Sequence, residues 1–300
     1  MQDCDIHLYA DINVIEDKLN KDFNILCDWF VNNKLSIHFG EDKTKCIIVS
    51  PKNLSKSAEG LNIKRQDIKL KQYSTVEYLG CLLDSTLSGE EMALKVFKKV
   101  NGRLQFLYRQ GKYLTPGLRR MICNVLIQPH FDYACSAWYP NLKKGLNKGK
   151  LQIAQNKYIR FCLSLGNRES VKYGHFKEIN WLPVVNRVNQ FMVVSVYKFF
   201  NDIAPAYMSE IHRTRNSEKK LIIQTKKHDY GKNCLSYMAS TIWNRIDSKI
   251  KVATNTNYFK HMIKKSFLRI LRTKETIFIN INFSNLTSNL FLSYGGPLHV

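Results

Sequence analysis

The 300-residue chain is predicted to fold as α+β, with a small antiparallel part near the N-terminus and a mostly helical remainder. Three observations lead there. Residues 1–85 mix one helix-spaced apolar stretch with short runs at strand spacing, whereas apolar residues after 88 recur at helical intervals. Hydrophobic residues make up 44% and aromatics 12%, a globular composition that needs no disulfides to build a core. The charge changes character along the same divide. Lys and Arg exceed Asp and Glu by 22 overall, but the balance is −4 over 1–50, +13 over 95–160 and +12 over 213–272, and close to zero elsewhere.

Ile15, Leu19, Phe23, Leu26, Cys27, Phe30 and Val31 share one face, which predicts a helix over 12–33 stopped at Asn32-Asn33. Strand-like runs over 35–39 and 43–50 flank the turn signal Gly40-Glu41-Asp42. A polar loop covers 51–60, and further strands are predicted around 63–70 and 76–84. In the helix over 88–110, Lys95, Lys99 and Arg103 form a basic stripe beside the apolar face. Thr115-Pro116 reads as an N-cap followed by proline at the first helical position, opening a helix ended by Pro129. The next helix covers 146–165 with Gly166 past its C-terminus, and another runs from Pro183 to about Asn201. A basic loop over 213–229 leads to helices over 231–246 and 256–271, and the tail from Thr273 has no assignable element. Tyr158, Trp138, Trp181, Trp243 and Phe106 are expected in the core.

Eight cysteines without a C-x-x-C or paired spacing fit a reducing compartment, cytosol or nucleus. No stretch of 18 apolar residues occurs, so no membrane partner is expected, and the acidic N-terminus lacks a signal-peptide pattern. The pI near 9.6 points to a polyanionic partner, nucleic acid first.

Seven strings then follow one another: LYAD at 8–11, WFVNNKLSI at 29–37, DKTKCIIVS at 42–50, VEYLGCLLD at 76–84, LRRMICNVLIQPHFDYACSAWYP at 118–140, LQIAQNKYIRFCL at 151–163, and IWNRI with FKHMIKKSFL within 242–268. In this order they resemble the C-terminal part of reverse transcriptases of non-LTR (LINE-type) retrotransposons, jockey-like ones especially, over residues 5–270. The resemblance implies a truncated palm remnant over 1–87, a basic thumb-like part over 88–182, a helical C-terminal region over 183–272 and a tail over 273–300. It also implies RNA-directed DNA polymerisation by carboxylates holding two Mg²⁺ ions in the intact enzymes. On this resemblance Asp11 is the catalytic and metal-binding remnant, Lys43 lies by the incoming triphosphate, and Tyr78, Leu79 and Gly80 grip the primer. Lys95, Lys99, Arg103, Arg119, Arg120, Lys150, Lys157 and Arg160 are the expected phosphate contacts, holding template and primer without sequence preference. Phe106, Tyr108, Tyr113 and Tyr158 are the nearby aromatics, the first and last expected in the core.

The departures from the family pattern point away from catalysis. Ile12 stands where a second Asp belongs, and the fingers and earlier palm strands would precede Met1. The chain is therefore expected not to polymerise alone and not to hold Mg²⁺ tightly, and its shortened sheet is expected to leave an exposed edge. Two rival readings remain at this point: a basic helical module for an acidic protein partner, and a decayed element product without selected function.

Overall fold

The computed structural model describes residues 12–39, 43–49, 61–142, 146–211, 214–215, 219–223 and 229–273. The LYAD string, the 40–42 turn, the 51–60 loop and the tail after Thr273 lie outside these residues. The chain is α+β and mostly helical, and it divides after Glu91 into two compact units.

In the first unit, α1 (Ile12–Asn32) forms as its apolar spacing predicts. It ends with Lys34 in the left-handed region (φ 56°) while the Leu35 N–H donates back to the Phe30 carbonyl. The run 35–39 then forms no strand, and 43–49 contributes a single parallel bridge, Cys46 to Gln72. The strand expected over 63–70 is instead a minimal hairpin, β1 (Lys64–Arg65) with β2 (Ile68–Lys69), turned at Gln66 with φ 53°. The strand expected over 76–84 is likewise a hairpin, β3 (Thr75–Tyr78) with β4 (Cys81–Asp84). Its two-residue loop, Leu79-Gly80, has both φ positive (46° and 81°), which is what a tight hairpin with the right twist requires. Gly80 adopts this freely, whereas Leu79 is strained by roughly 1–2 kcal/mol.

The polar face of α1 holds the first hairpin. Glu16, Asn20, Asn24 and Asp28 recur every fourth residue and so line one face. The Asn62 N–H donates to Glu16 Oε2 (2.9 Å), and Asn20 both donates to the Asn62 carbonyl (3.0 Å) and accepts from the Lys64 N–H (2.8 Å). Arg65 donates to the Asn24 carbonyl (3.1 Å) and pairs with Asp28 (2.7 Å). This ladder of side chains satisfies the backbone at 62–65.

In the second unit, α2 (Glu90–Gln110, its first two residues in the first unit) buries Met92, Val96, Val100, Leu104 and Leu107. A 3₁₀ turn over Gly111–Tyr113 leads to α3 (Pro116–Leu126), capped by Thr115 as its sequence predicts. Pro129 does more than end α3. It sits in the first turn of α4 (Gln128–Asp132), where a missing N–H costs nothing. After α5 (Cys135–Trp138) comes α6 (Leu146–Leu163). The left-handed residue that ends α6 is Ser164 (φ 55°), with the Leu165 N–H returning to the Arg160 carbonyl, rather than the expected Gly166. The short helix α7 (Tyr173–Glu178) precedes α8 (Val184–Phe200). Then come α9 (Met208–Ile211), a two-residue pair of strands β5 (Thr214–Arg215) and β6 (Lys220–Leu221) inside the expected basic loop, α10 (Asp229–Asn233), α11 (Leu235–Asn244), α12 (Ser248–Lys251) and α13 (Thr256–Thr273).

Helix α8 is the core of this unit. It packs against α4, α5, α6, α11 and α13 and buries Val188, Met192, Val193, Val196 and Tyr197. Tyr197 stacks on Phe259 (4.2 Å between centroids) and donates to the Ala253 carbonyl (2.8 Å). Phe200 stacks on Trp243 (5.2 Å). Trp138, Trp181, Trp243 and Tyr158 are buried as expected, but Phe106 is 60% exposed. Pro183 offers no side-chain cap to α8, and Gln152 and Gln155 of α6 supply it by accepting from the Val184 N–H (3.2 and 3.1 Å).

Asp84, at the end of β4, organises the entry into α2. Its carboxylate accepts from the Thr86 and Ser88 N–H groups and hydroxyls and from the Gly89 N–H. Burial pushes this carboxyl up, but the donors from Thr86 and Ser88 outweigh it and hold it below its ordinary value. Its contribution is thus full above the ordinary carboxylate range and is lost as pH falls through the lowered value. Asp84→Ala is expected to destabilise by about 1–2 kcal/mol at pH 7 and to flatten the acid limb of the stability curve, as read by denaturant unfolding from pH 7 to pH 3.

Candidate nucleic-acid interface

Block 95–160 contains fourteen basic residues and a single acid, Asp132. That acid is taken up internally. Arg187 of α8 grips it with both Nε and Nη2 (3.0 and 2.9 Å), and Gln128 donates to it as well (3.0 Å). Tyr158 donates to Gln128 (2.7 Å), Arg187 donates on to Gln190 (2.9 Å), and Gln190 donates to the Lys260 carbonyl (3.0 Å). Burial works against the Arg187 charge, but Asp132 outweighs it and raises the guanidinium's affinity for its proton.

The expected phosphate contacts fall into distinct settings. Arg119 is an internal staple. Its guanidinium donates to the carbonyls of Leu114 (3.0 Å), Gly111 (2.6 Å) and Phe161 (3.3 Å) and to Ser164 Oγ (2.6 Å), and it lies over the Phe161 ring. It thereby ties the 3₁₀ turn and α3 to the C-terminal carbonyls of α6. A Cβ on Gly111 would meet the Phe161 ring at 3.1 Å, so a larger residue there would require the ring to shift by a few tenths of an ångström. Arg103 caps α3 through the Leu126 carbonyl. With Lys99 it stands beside His130, which burial and then these two cations hold below its ordinary pKa, and whose Nε2 is buried without a hydrogen-bond partner.

Lys157 is exposed, with its ammonium at 3.5 Å from Asn101 Oδ1, and its carbonyl accepts from the Tyr108 hydroxyl (3.2 Å). Arg160 donates to the Glu169 carbonyl (2.7 Å), while Lys95 and Lys150 are half-buried. Tyr113 is 72% exposed and carries Lys112 over its ring (4.8 Å). The structure thus brings Lys99 with Arg103, and Arg119 with α6, into two neighbourhoods of the second unit. Lys43, Tyr78, Leu79 and Gly80 belong to the first unit, where Lys43 is exposed in a turn and the other three form the exposed tip of the β3–β4 hairpin. Asp11 lies outside the described residues, and among those described no three His, Cys, Asp or Glu side chains converge as a ligand set for an ion such as Mg²⁺.

The basic helices and the ordered strings point to one kind of relative. The chain is similar to a retrotransposon polyprotein. Over 195 residues it is 25% identical to the retrovirus-related Pol polyprotein from type-1 retrotransposable element R1 2 of Nasonia vitripennis, a match covering 60% of this chain and 45% of that protein. The chain thus spans less than half of the relative it matches. No protein-family model and no solved structure matches it. No helix among the described residues is long and apolar enough to cross a membrane.

Two basic residues outside the expected set also have notable settings, Arg187 and Lys264. Lys264 of α13 is half-buried, and burial, with Arg187 and Arg120 beside it, pulls its ammonium down to about 8. Lys264 flanks the apolar face of α13 formed by Phe259, Ile263, Phe267 and Leu271, whereas Lys265 lies on the opposite side and is exposed.

Arg119→Lys keeps the charge but loses the fork, so it is expected to cost about 1–3 kcal/mol of stability. Lys99→Ala, at an exposed position, is expected to cost less than about 0.5 kcal/mol. Thermal unfolding of the two variants beside the parent checks both values.

Proposed function

We propose that this chain derives from the reverse transcriptase of a non-LTR retrotransposon and serves to hold nucleic acid through its backbone, without polymerising by itself. One observation carries the binding half. The block 95–160 has fourteen cations, and its only carboxylate is withdrawn into the Arg187 pair, so no acid of that block offsets the basic face. Phosphate contacts of this kind fix a strand in place without reading its sequence. The exposed rings of Phe106 and Tyr113 offer stacking surfaces of the sort that single strands use. The similarity to a retrotransposon Pol polyprotein supports the origin.

The non-catalytic half rests on Ile12. With an aliphatic residue after Asp11, the hairpin of the family pattern carries one carboxylate in place of two. A lone carboxylate supplies too few oxygens for the tight octahedron that Mg²⁺ requires. Lys43 and the Tyr78–Gly80 tip keep the family's residue types for nucleotide and primer in this reading, with no metal to act upon.

With about six phosphates neutralised, log K is expected to fall with log[salt] at a slope near −5 on duplex DNA, and heparin is expected to compete. A flat salt response would remove the binding reading. Primer extension on an RNA template with Mg²⁺ or Mn²⁺ is expected to give no templated product, and incorporation above a no-protein control would overturn the non-catalytic reading.

A further inference from the structure

Arg120, Arg187 and Lys264 stand on three helices, α3, α8 and α13, far apart in sequence. Packing brings them together. Helix α13 lies against both α7 and α8, and Arg120 reaches across to α7, donating to the Glu178 carbonyl (3.4 Å). Arg187 is fixed by Asp132 and by Gln190, whose amide donates to the Lys260 carbonyl. Lys264 follows Lys260 by one helical turn, on the same face of α13.

Among the described residues the Lys264 ammonium has no hydrogen-bond or ion-pair partner. Asp132 balances one of the three cations, and two positive charges remain beside each other in a half-buried setting. Holding like charges together in this way is unfavourable, and no carboxylate among the described residues pairs with Lys264. Burial first, and then Arg187 and Arg120, lower the Lys264 value, and an anion seated among the three would offset all of these. We propose that Arg120, Arg187 and Lys264 form a binding site for a phosphate group. A tetrahedral oxyanion can accept from the ammonium and from the N–H groups that the two guanidiniums retain, in charge-assisted bonds. Arg187 is pre-oriented by its partners, so little ordering opposes binding. The phosphate comes either free in solution or from a nucleic-acid backbone, and only the second source rests on the function proposed above.

Two arms separate these sources. In the first, the full chain is unfolded thermally in inorganic phosphate and in sodium chloride at matched ionic strength. Phosphate is expected to raise Tm by about 2–4 °C more than chloride. Lys264→Met removes the repulsion and the donor together, so its Tm in chloride is expected to equal or exceed that of the parent, with the phosphate increment lost. Arg120→Gln is expected to reduce that increment, and Lys265→Met, a neighbouring exposed position, to retain it. Equal effects of phosphate and chloride on the parent, or a full increment in Lys264→Met, would overturn the site. In the second arm a duplex oligonucleotide is titrated across a salt series. If a backbone phosphate occupies the site, Lys264→Met lowers the steepness of the salt slope by about 1. An unchanged slope together with a phosphate increment assigns the site to a free anion. A parent that binds no oligonucleotide yet keeps the increment overturns the proposed function and leaves the site standing.

Discussion

Helix α8 is buried on nearly every side, and each polar group it carries inward has to find a partner there. Gln190 is 5% exposed, and with Arg187 it builds a relay from Tyr158 through Gln128 and Asp132 to the backbone of α13. A half-satisfied relay would be worse than an apolar core, because each unpaired member keeps its full desolvation cost. Four helices are therefore held in one register: α4 and α6 on one side of α8, α13 on the other. Toward the other end of α8, Tyr197 stacks on Phe259 and Phe200 on Trp243.

The same relay decides how the surface is charged. Asp132 is needed inside, so it cannot soften the basic block around it. Several arginines of that block do structural work as well. Arg119 and Arg103 close the carboxyl ends of α6 and α3, where the helix dipole favours a cation. Stability and basicity are thus coupled here, since the residues that finish the helices also bring positive charge to that part of the surface.

Much of the architecture was legible in the sequence, because helical periodicity and caps are local signals. Thr115-Pro116 opened a helix where expected, and the three tryptophans were in the core. The misses have physical causes. Apolar runs at 63–70 and 76–84 read as single strands because a non-glycine residue, Gln66 or Leu79, takes the positive φ that turns each of them back. Ser164 ends α6 in the same unadvertised way. Phe106 fits a helical apolar stripe, yet among the described residues it is left exposed on α2. At the candidate interface the sequence grouped Arg119 with Arg120, but the fold turns one into the core of a joint and the other toward α7. Lys264 was not singled out at all, since its setting depends on two arginines 77 and 144 residues away in the chain.

The ladder between α1 and the first hairpin has a chemical weakness. Asn20 works in both directions, its amide nitrogen donating to the Asn62 carbonyl while its oxygen accepts from the Lys64 N–H. Hydrolysis of that amide to a carboxylate, an ordinary ageing reaction of asparagine, would turn the donor into a second acceptor facing a carbonyl. The neighbouring rung one turn back is the carboxylic residue Glu16, so the damage would also place a second acid beside it on the same helix face. With hairpin strands only two residues long, little backbone pairing is left to compensate. The lifetime of this part of the fold is therefore tied to the integrity of one side-chain amide.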